Sequence, residues 1–280
     1  MKIVTLVENT KSNDSLFEAR HGLGLYIEQE NQKILFDIGP DDSAIKNAQA
    51  MGIDLSMVEM LILSHAHYDH GRGLTDFFKI NSKAAVYLLS DCNGQYFSKQ
   101  KDDSYKPIGL DVELFSQYPK RFHFFDQKIR LSDDMLLLAP TIHTTFQPRN
   151  NANLYTLENG LYSRDRFQHE LILTVMKHGS LTIFTGCAHS GILNMILSVE
   201  REFPGVPIQT LVGGFHLANP HDMKLAEDQE TVVEIGSSLL KHQIQKIYTG
   251  HCTGEEGFSL LQTVLQERIQ KLTTGSIIHT

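Results

Sequence analysis

The chain has 280 residues, 41 % apolar and 21 % charged, with a formal net charge of −8. That composition belongs to a folded globular protein, and the acidic balance without a dense Lys/Arg run argues against a nucleic-acid-binding surface. Three cysteines, Cys92, Cys187 and Cys252, are too few and too scattered for a disulfide framework, and no apolar run reaches the roughly 18 residues of a membrane span.

The N-terminal segment Met1-Lys2-Ile3-Val4-Thr5-Leu6-Val7 turns polar at once. It predicts a first β-strand over Lys2 to Val7 rather than a signal peptide, and so a cytoplasmic location. Strands over 24–28 and 33–37 flank a polar turn, the pattern of a hairpin. Gly39-Pro40 ends the second of them. A helix follows over 43–51. Met60 to Leu63 is wholly apolar, as expected of a strand buried on both faces, and it runs straight into Ser64-His65-Ala66-His67-Tyr68-Asp69-His70. Another strand covers 84–89. The stretch from 91 to about 166 has little periodicity and is expected to hold a lid or insert in a single domain spanning 1–280. Strands over 136–139, 171–176 and 181–184 then lead to a helix over 192–202. A strand over 209–212, a helix over 226–242, a short strand at 247–248 and a final helix over 258–271 complete the chain.

Four apolar strands are followed at once by a His-bearing segment, three of these being Gly-rich: those of His65 and His67, of Cys187 and His189, of His216, and of His251. In open α/β architectures ligands bind at the carboxyl ends of strands. In the first segment, residues i and i+2 of an extended chain share a face, so His65 and His67 can hold one ion, with Asp69 and His70 aimed at a second. Three imidazoles and a carboxylate within six residues add little to a core. The strand-end histidines His189 and His251 are the next candidates. Cys187 fits either a thiolate ligand or a buried structural thiol. His169, beside Glu170, and His216, after two glycines, are candidates for metal or substrate. Asp37, at a strand end, suits a carboxylate that steadies a ligand or a helix-entry cap.

These segments resemble the metallo-β-lactamase superfamily. His65-x-His67-x-Asp69-His70 after an apolar strand is similar to its hallmark, and Asp37-Ile-Gly to its first motif. Gly-Cys187-Ala-His189-Ser-Gly, Gly-Gly-Phe-His216 and Thr-Gly-His251-Cys-Thr-Gly narrow the likeness to the subgroup of dihydropterin-(ribofuranosyl)aminobenzene 5′-phosphate synthase. The resemblance implies an α/β, four-layer αββα sandwich of two mixed β-sheets with helices outside. It implies a two-metal centre with His65, His67, Asp69, His70 and His251 as ligands. Cys187 stands where many members carry a bridging Asp, so the resemblance gives His189 as a further ligand, with Cys187 in reserve and His169 for the remaining position.

The function expected is a binuclear metal-dependent hydrolase that turns a metal-activated hydroxide on an ester, phosphoester or related bond of a small anionic substrate, with Asp69 as the catalytic carboxylate. The cofactors are two divalent ions, zinc first, with manganese or iron(II) as alternatives. The alternative activity is a transferase joining a dihydropterin pyrophosphate to an aminobenzene ribofuranosyl phosphate. An iron redox or metal-sensing protein ranks behind both, because His67 stands where such an iron site carries a carboxylate. Arg149, Arg164 and Arg166 can pair with a phosphorylated or pterin-like substrate. Neither a nucleic-acid nor a membrane partner is expected.

Overall fold

The computed structural model describes residues 1–12 and 16–280. The chain forms two compact units. The first comprises Met1–Asp126, Leu154–His169 and Leu272–Thr280, and the second comprises Gln127–Asn153 and Glu170–Lys271.

In the first unit, β1 (Lys2–Val7), β2 (Gly24–Gln29) and β3 (Gln32–Phe36) form an antiparallel meander. The β2–β3 turn places Glu30 in the left-handed region. Helix α1 (Ser43–Ala50) crosses to β4 (Met60–Ile62), which pairs parallel with β3. The short helices α2 (Tyr68–Gly71) and α3 (Leu74–Ile80) lead to β5 (Ala85–Leu89), parallel to β4. The chain then builds β6 (Tyr96–Lys99), β7 (Tyr105–Pro107), helix α4 (Glu113–Gln117) and β8 (Phe122–Phe125), which joins β5. One apolar core of β-strand and helix side chains, among them Leu6, Leu35, Leu61, Phe77 and Val86, holds this unit together.

The second unit starts with β9 (Lys128–Arg130) and β10 (Met135–Leu138). The stretch expected as one lid, 91–166, therefore divides. Its middle supplies strands of the second unit, while β6, β7, β11 (Leu154–Glu158) and β12 (Leu161–Arg164) form a separate small sheet in the first unit. These strands are short and half exposed, so they lack the apolar alternation that reveals a strand in sequence.

Strands β13 (Ile172–Lys177) and β14 (Ser180–Thr185) pair antiparallel beside β10. From β14 onward the second unit's sheet is parallel: helix α5 (Ile192–Glu202) crosses to β15 (Ile208–Val212), and α6 (Gln229–Lys241) to β16 (Lys246–Thr249). Helix α5 buries Ile192, Met195, Ile196 and Val199, the i, i+3, i+4, i+7 stripe of a core-facing helix. Its buried polar residues have a separate task. Asn194 Oδ1 accepts from the backbone N–H of Thr144 and Thr145 at 3.1 and 2.9 Å, and Ser198 Oγ from Thr141 and Ile142 at 3.0 and 3.1 Å.

The final helix, expected to run to 271, is α7 (Glu255–Leu265) and stops there. Gln266 turns left-handed, and β17 (Ile269–Lys271) pairs parallel with β16, while β18 (Ile277–His279) pairs antiparallel with β1. Both seven-stranded sheets are thus mixed, parallel over one part and antiparallel over the other.

Candidate metal centre

The parallel pairing of β3 and β4 carries Asp37 and the His65–His70 segment to one end of the first unit's sheet. Asp37, left-handed at φ 59°, is fully buried and its carboxylate accepts three hydrogen bonds. Its Oδ1 receives the Ser64 N–H at 2.8 Å, and its Oδ2 receives Ser64 Oγ–H at 2.7 Å and His70 Nδ1–H at 2.6 Å. Ser64 Oγ has given its hydrogen to Asp37, so it accepts from His65 Nδ1–H at 2.8 Å. His65 and His70 therefore both carry their lone pair on Nε2, the arrangement in which a supporting carboxylate orients a metal-binding imidazole.

The His65 ring centroid lies 4.6 Å from that of His67 and 4.2 Å from that of His70. Burial, aided by the neighbouring His169, pushes His67 down to about 3, so it is neutral and able to bind a cation at ordinary pH. Asp69 lies in the first turn of helix α2 with Oδ2 3.4 Å from His21 Nε2 and 3.9 Å from His70 Nε2. Gly22 is required beside it. With φ at 156°, a Cβ there would stand 2.3 Å from the Asp69 carbonyl oxygen.

In the second unit, β14, β15 and β16 are adjacent and parallel, and each delivers candidate ligands from its carboxyl end. Cys187 and His189 follow β14, His216 follows β15, and His251 and Cys252 follow β16. Ala188, His216 and His251 are all left-handed, at φ 57°, 51° and 51°. Such backbone costs on the order of 1–3 kcal/mol per residue and clusters at functional sites. Asn151 fixes the His189 tautomer: its Nδ2 donates to the His189 carbonyl at 2.8 Å, and its Oδ1 accepts from His189 Nδ1–H at 3.1 Å. The sulfur and nitrogen donors of Cys187, His251 and Cys252 lie within 4.8 Å of one another. Burial by itself would raise the Cys252 thiol, but Cys187 and the imidazoles of His216 and His251 outweigh it and hold it well below the ordinary thiol range. Cys92, in the first unit, is different: burial pushes its thiol far up, as for an inert core cysteine.

His169 and Glu170 adjoin in sequence, and each braces a ligand-bearing segment of its own unit. His169 Nδ1 accepts the Ala66 N–H at 3.1 Å, between His65 and His67, and its Nε2–H donates to Asp165 Oδ2 at 3.0 Å. Both ring nitrogens are engaged by protein, so His169, expected as a candidate for metal or substrate, offers no lone pair to an ion. Glu170, fully buried, accepts the backbone N–H groups of His189 and Ser190, both at 2.7 Å, one on each carboxylate oxygen.

Tyr96 packs on His169 with centroids 4.2 Å apart and lines a cavity of about 570 Å3 together with Ser90, Thr156, Arg164, Asp165 and Arg166. The Arg164 guanidinium lies 5.2 Å above the Tyr155 ring. Arg149 is not available in the same way, being paired with Asp228 and close to Glu227. Nothing in the sequence pattern singles out His21, Asn151, Tyr96 or Asp165. Each lies in a segment without clear periodicity in sequence, and only the tertiary fold brings it to a motif residue.

Residues 19–142 match the family model of the metallo-beta-lactamase superfamily. The sheets flanked by helices are those of a metallo-β-lactamase-fold protein. Over 99 % of its length the chain is 28 % identical to 7,8-dihydropterin-6-methyl-4-(beta-D-ribofuranosyl)-aminobenzene-5'-phosphate synthase of Methanocaldococcus jannaschii, covering 96 % of that protein. The crystal structure of Tm1679, described as a metal-dependent hydrolase of the beta-lactamase superfamily, is 26 % identical and superposes with a TM-score of 0.83 over 100 % of this chain and 99 % of that one. Zinc-bound PqqB from Methylobacterium extorquens, at 10 % identity, full coverage of both chains and a TM-score of 0.58, shares the fold alone. No described helix is long and apolar enough to cross a membrane.

Proposed function

We propose that this chain is a metal-dependent hydrolase that binds two divalent ions, zinc before manganese or iron(II), through His65, His67, Asp69, His70, His189 and His251. In keeping with the match to the synthase over 99 % of the chain, we read residues 1–280 as one catalytic domain. The observation that carries the reading is the hydrogen bonding of the imidazoles. His65, His70 and His189 each give their Nδ1–H to a protein acceptor, which sets the lone pair on Nε2. A merely structural histidine needs no such uniform tautomer. Bound ions of this kind supply Lewis acidity and lower the pKa of water.

The chain's own residues do the rest. Asp37 and Ser64 lock two imidazoles, and Asp69 offers a carboxylate oxygen that orients a nucleophile. Arg164 and Arg166, on the cavity wall beside Tyr96, present guanidinium groups suited to a small phosphorylated or pterin-like substrate. The 28 % identity over nearly the whole length of the synthase favours a second reading, transfer of a dihydropterin from its pyrophosphate to an aminobenzene ribofuranosyl phosphate.

Elemental analysis of the purified protein, run beside phosphodiester and thioester turnover, separates these. About two zinc ions with hydrolysis, both lost in His67→Ala, is the expected result. Bound metal with no hydrolysis, and pyrophosphate released only when the aminobenzene acceptor is present, would replace the hydrolase with the transferase. Full activity in His67→Ala would overturn the site.

A further inference from the structure

His216 has no role in the ligand set above, yet its surroundings are those of a ligand. It is only 6 % exposed, and neither of its ring nitrogens meets a protein nitrogen or oxygen at hydrogen-bond distance, its polar neighbour being the Cys252 thiol. Leaving a buried donor or acceptor unmet costs on the order of 1–3 kcal/mol, so such a ring calls for an explanation. Its neighbours supply one. A ring nitrogen of His216, a ring nitrogen of His189 and Cys187 Sγ all lie within 4.8 Å of one another. The His189 and His216 rings are 4.1 Å apart between centroids and tilted by 55°, so they are not stacked face to face.

The loop that presents His216 is held from behind. The His216 N–H donates to Cys252 Sγ at 3.3 Å and the Phe215 N–H to Thr253 Oγ1 at 3.0 Å. A Cβ on Gly214 would stand 2.4 Å from the Cys252 sulfur, so the close approach of loop and thiol depends on that glycine. His216 itself is held left-handed at φ 51°. Contacts within the protein thus fix the segment's backbone, as a binding site requires.

We propose that His216 is a metal ligand and that, with Cys187 Sγ and His189 Nε2, it binds a thiophilic divalent ion of the zinc or cobalt(II) class. The inference rests on the reading of His189 as a ligand. It adds a ligand and a selectivity to that reading. One thiolate and two imidazoles give three protein ligands and an open fourth position, the pattern of a catalytic zinc. A sulfur donor among them favours zinc, cobalt or iron over magnesium, manganese or calcium.

The test uses cobalt(II) on the purified full chain, with zinc affinity measured by chelator competition. The wild type should show the sulfur-to-cobalt charge-transfer band and intense d–d bands of a four-coordinate ion. Cys187→Ser should lose the charge-transfer band. Asn151→Ala, which only supports His189, should weaken affinity about 10–100-fold, and His216→Ala should exceed that loss. His216→Cys guards against misfolding, since it should keep the ion and gain charge-transfer intensity. Cobalt bound with turnover, but with affinity and spectrum unchanged in His216→Ala, would overturn this inference and leave the enzyme reading standing. A wild-type chain that takes up no cobalt or zinc would bring down the enzyme reading and this inference with it.

Discussion

His70 hands its Nδ1 hydrogen to Asp37, and Asp37 also takes two from Ser64. An amide in place of that carboxylate cannot accept all three. Asp37→Asn, which tolerates the left-handed backbone, should keep the fold and lower zinc affinity by about 10–100-fold, read by chelator competition. Asp165 shows a second effect of the same kind, this time on stability. Burial would raise its carboxyl, but the His169 imidazole beside it and the Phe167 N–H outweigh this and hold it below the ordinary aspartate range. A folded pKa below the unfolded one gives stability that is present above the ordinary aspartate value, near 3.9, and is lost as pH falls through the folded value. Asp165→Asn should therefore cost about 1 kcal/mol at neutral pH. Its melting temperature should converge with the wild type below about pH 4. A gap that persists undiminished well below that point, where the folded carboxyl is itself protonated, would show that the charge is not what matters.

Helix α5 shows what an element needs from its neighbours. Its apolar stripe was legible at 192–202, and so were β1 and the strand before His65, because side chains buried on a regular period leave a regular pattern. Its entry was not. Gly191 is left-handed at φ 90°, and a Cβ there would stand 2.0 Å from the Phe146 carbonyl oxygen, in the loop that Asn194 and Ser198 hold. Gly191→Ala should destabilise the protein by about 1–3 kcal/mol, seen as a lower melting temperature. An unchanged melt would mean that the loop yields freely. The strands the sequence missed, β6, β7, β8, β9, β11, β12, β17 and β18, share a cause: they have only three to five residues and lie in short ladders or at sheet edges. What makes each a strand is its partner, which no local window contains.

At the scale of the molecule, the candidate metal motifs stood out because they are concentrated: His65, His67, Asp69 and His70 fall within six residues, and His189, His216 and His251 each follow a strand. Their supports were not legible, since Asn151, Asp165 and Glu170 are ordinary polar residues until folding sets them against a ligand-bearing loop. If the ions bind only the folded chain, removing them should lower stability as well as activity. At a zinc concentration 1,000 times the dissociation constant the bound form gains about 4 kcal/mol, so chelation should lower the melting temperature by several degrees. Identical melts with and without chelator would argue that the ligands do not bind zinc. The two braces carry a further consequence. His169 closes the middle segment of the first unit and Glu170 opens the second segment of the other, each hydrogen-bonded to a loop of its own unit. One inserted amino acid anywhere between Asp165 and Glu170 pulls a carboxylate or an imidazole off its backbone partner. The turn of the β11–β12 hairpin ahead of them, at Asn159 and Gly160, is exposed, and a Cβ on Gly160 would meet nothing within 4 Å, so extra length there meets only solvent. Indel tolerance should thus stop abruptly at Asp165, and an insertion scan scored by folded yield and zinc uptake would draw that boundary to the residue, marking where this scaffold can be lengthened to accept a new substrate and where it cannot.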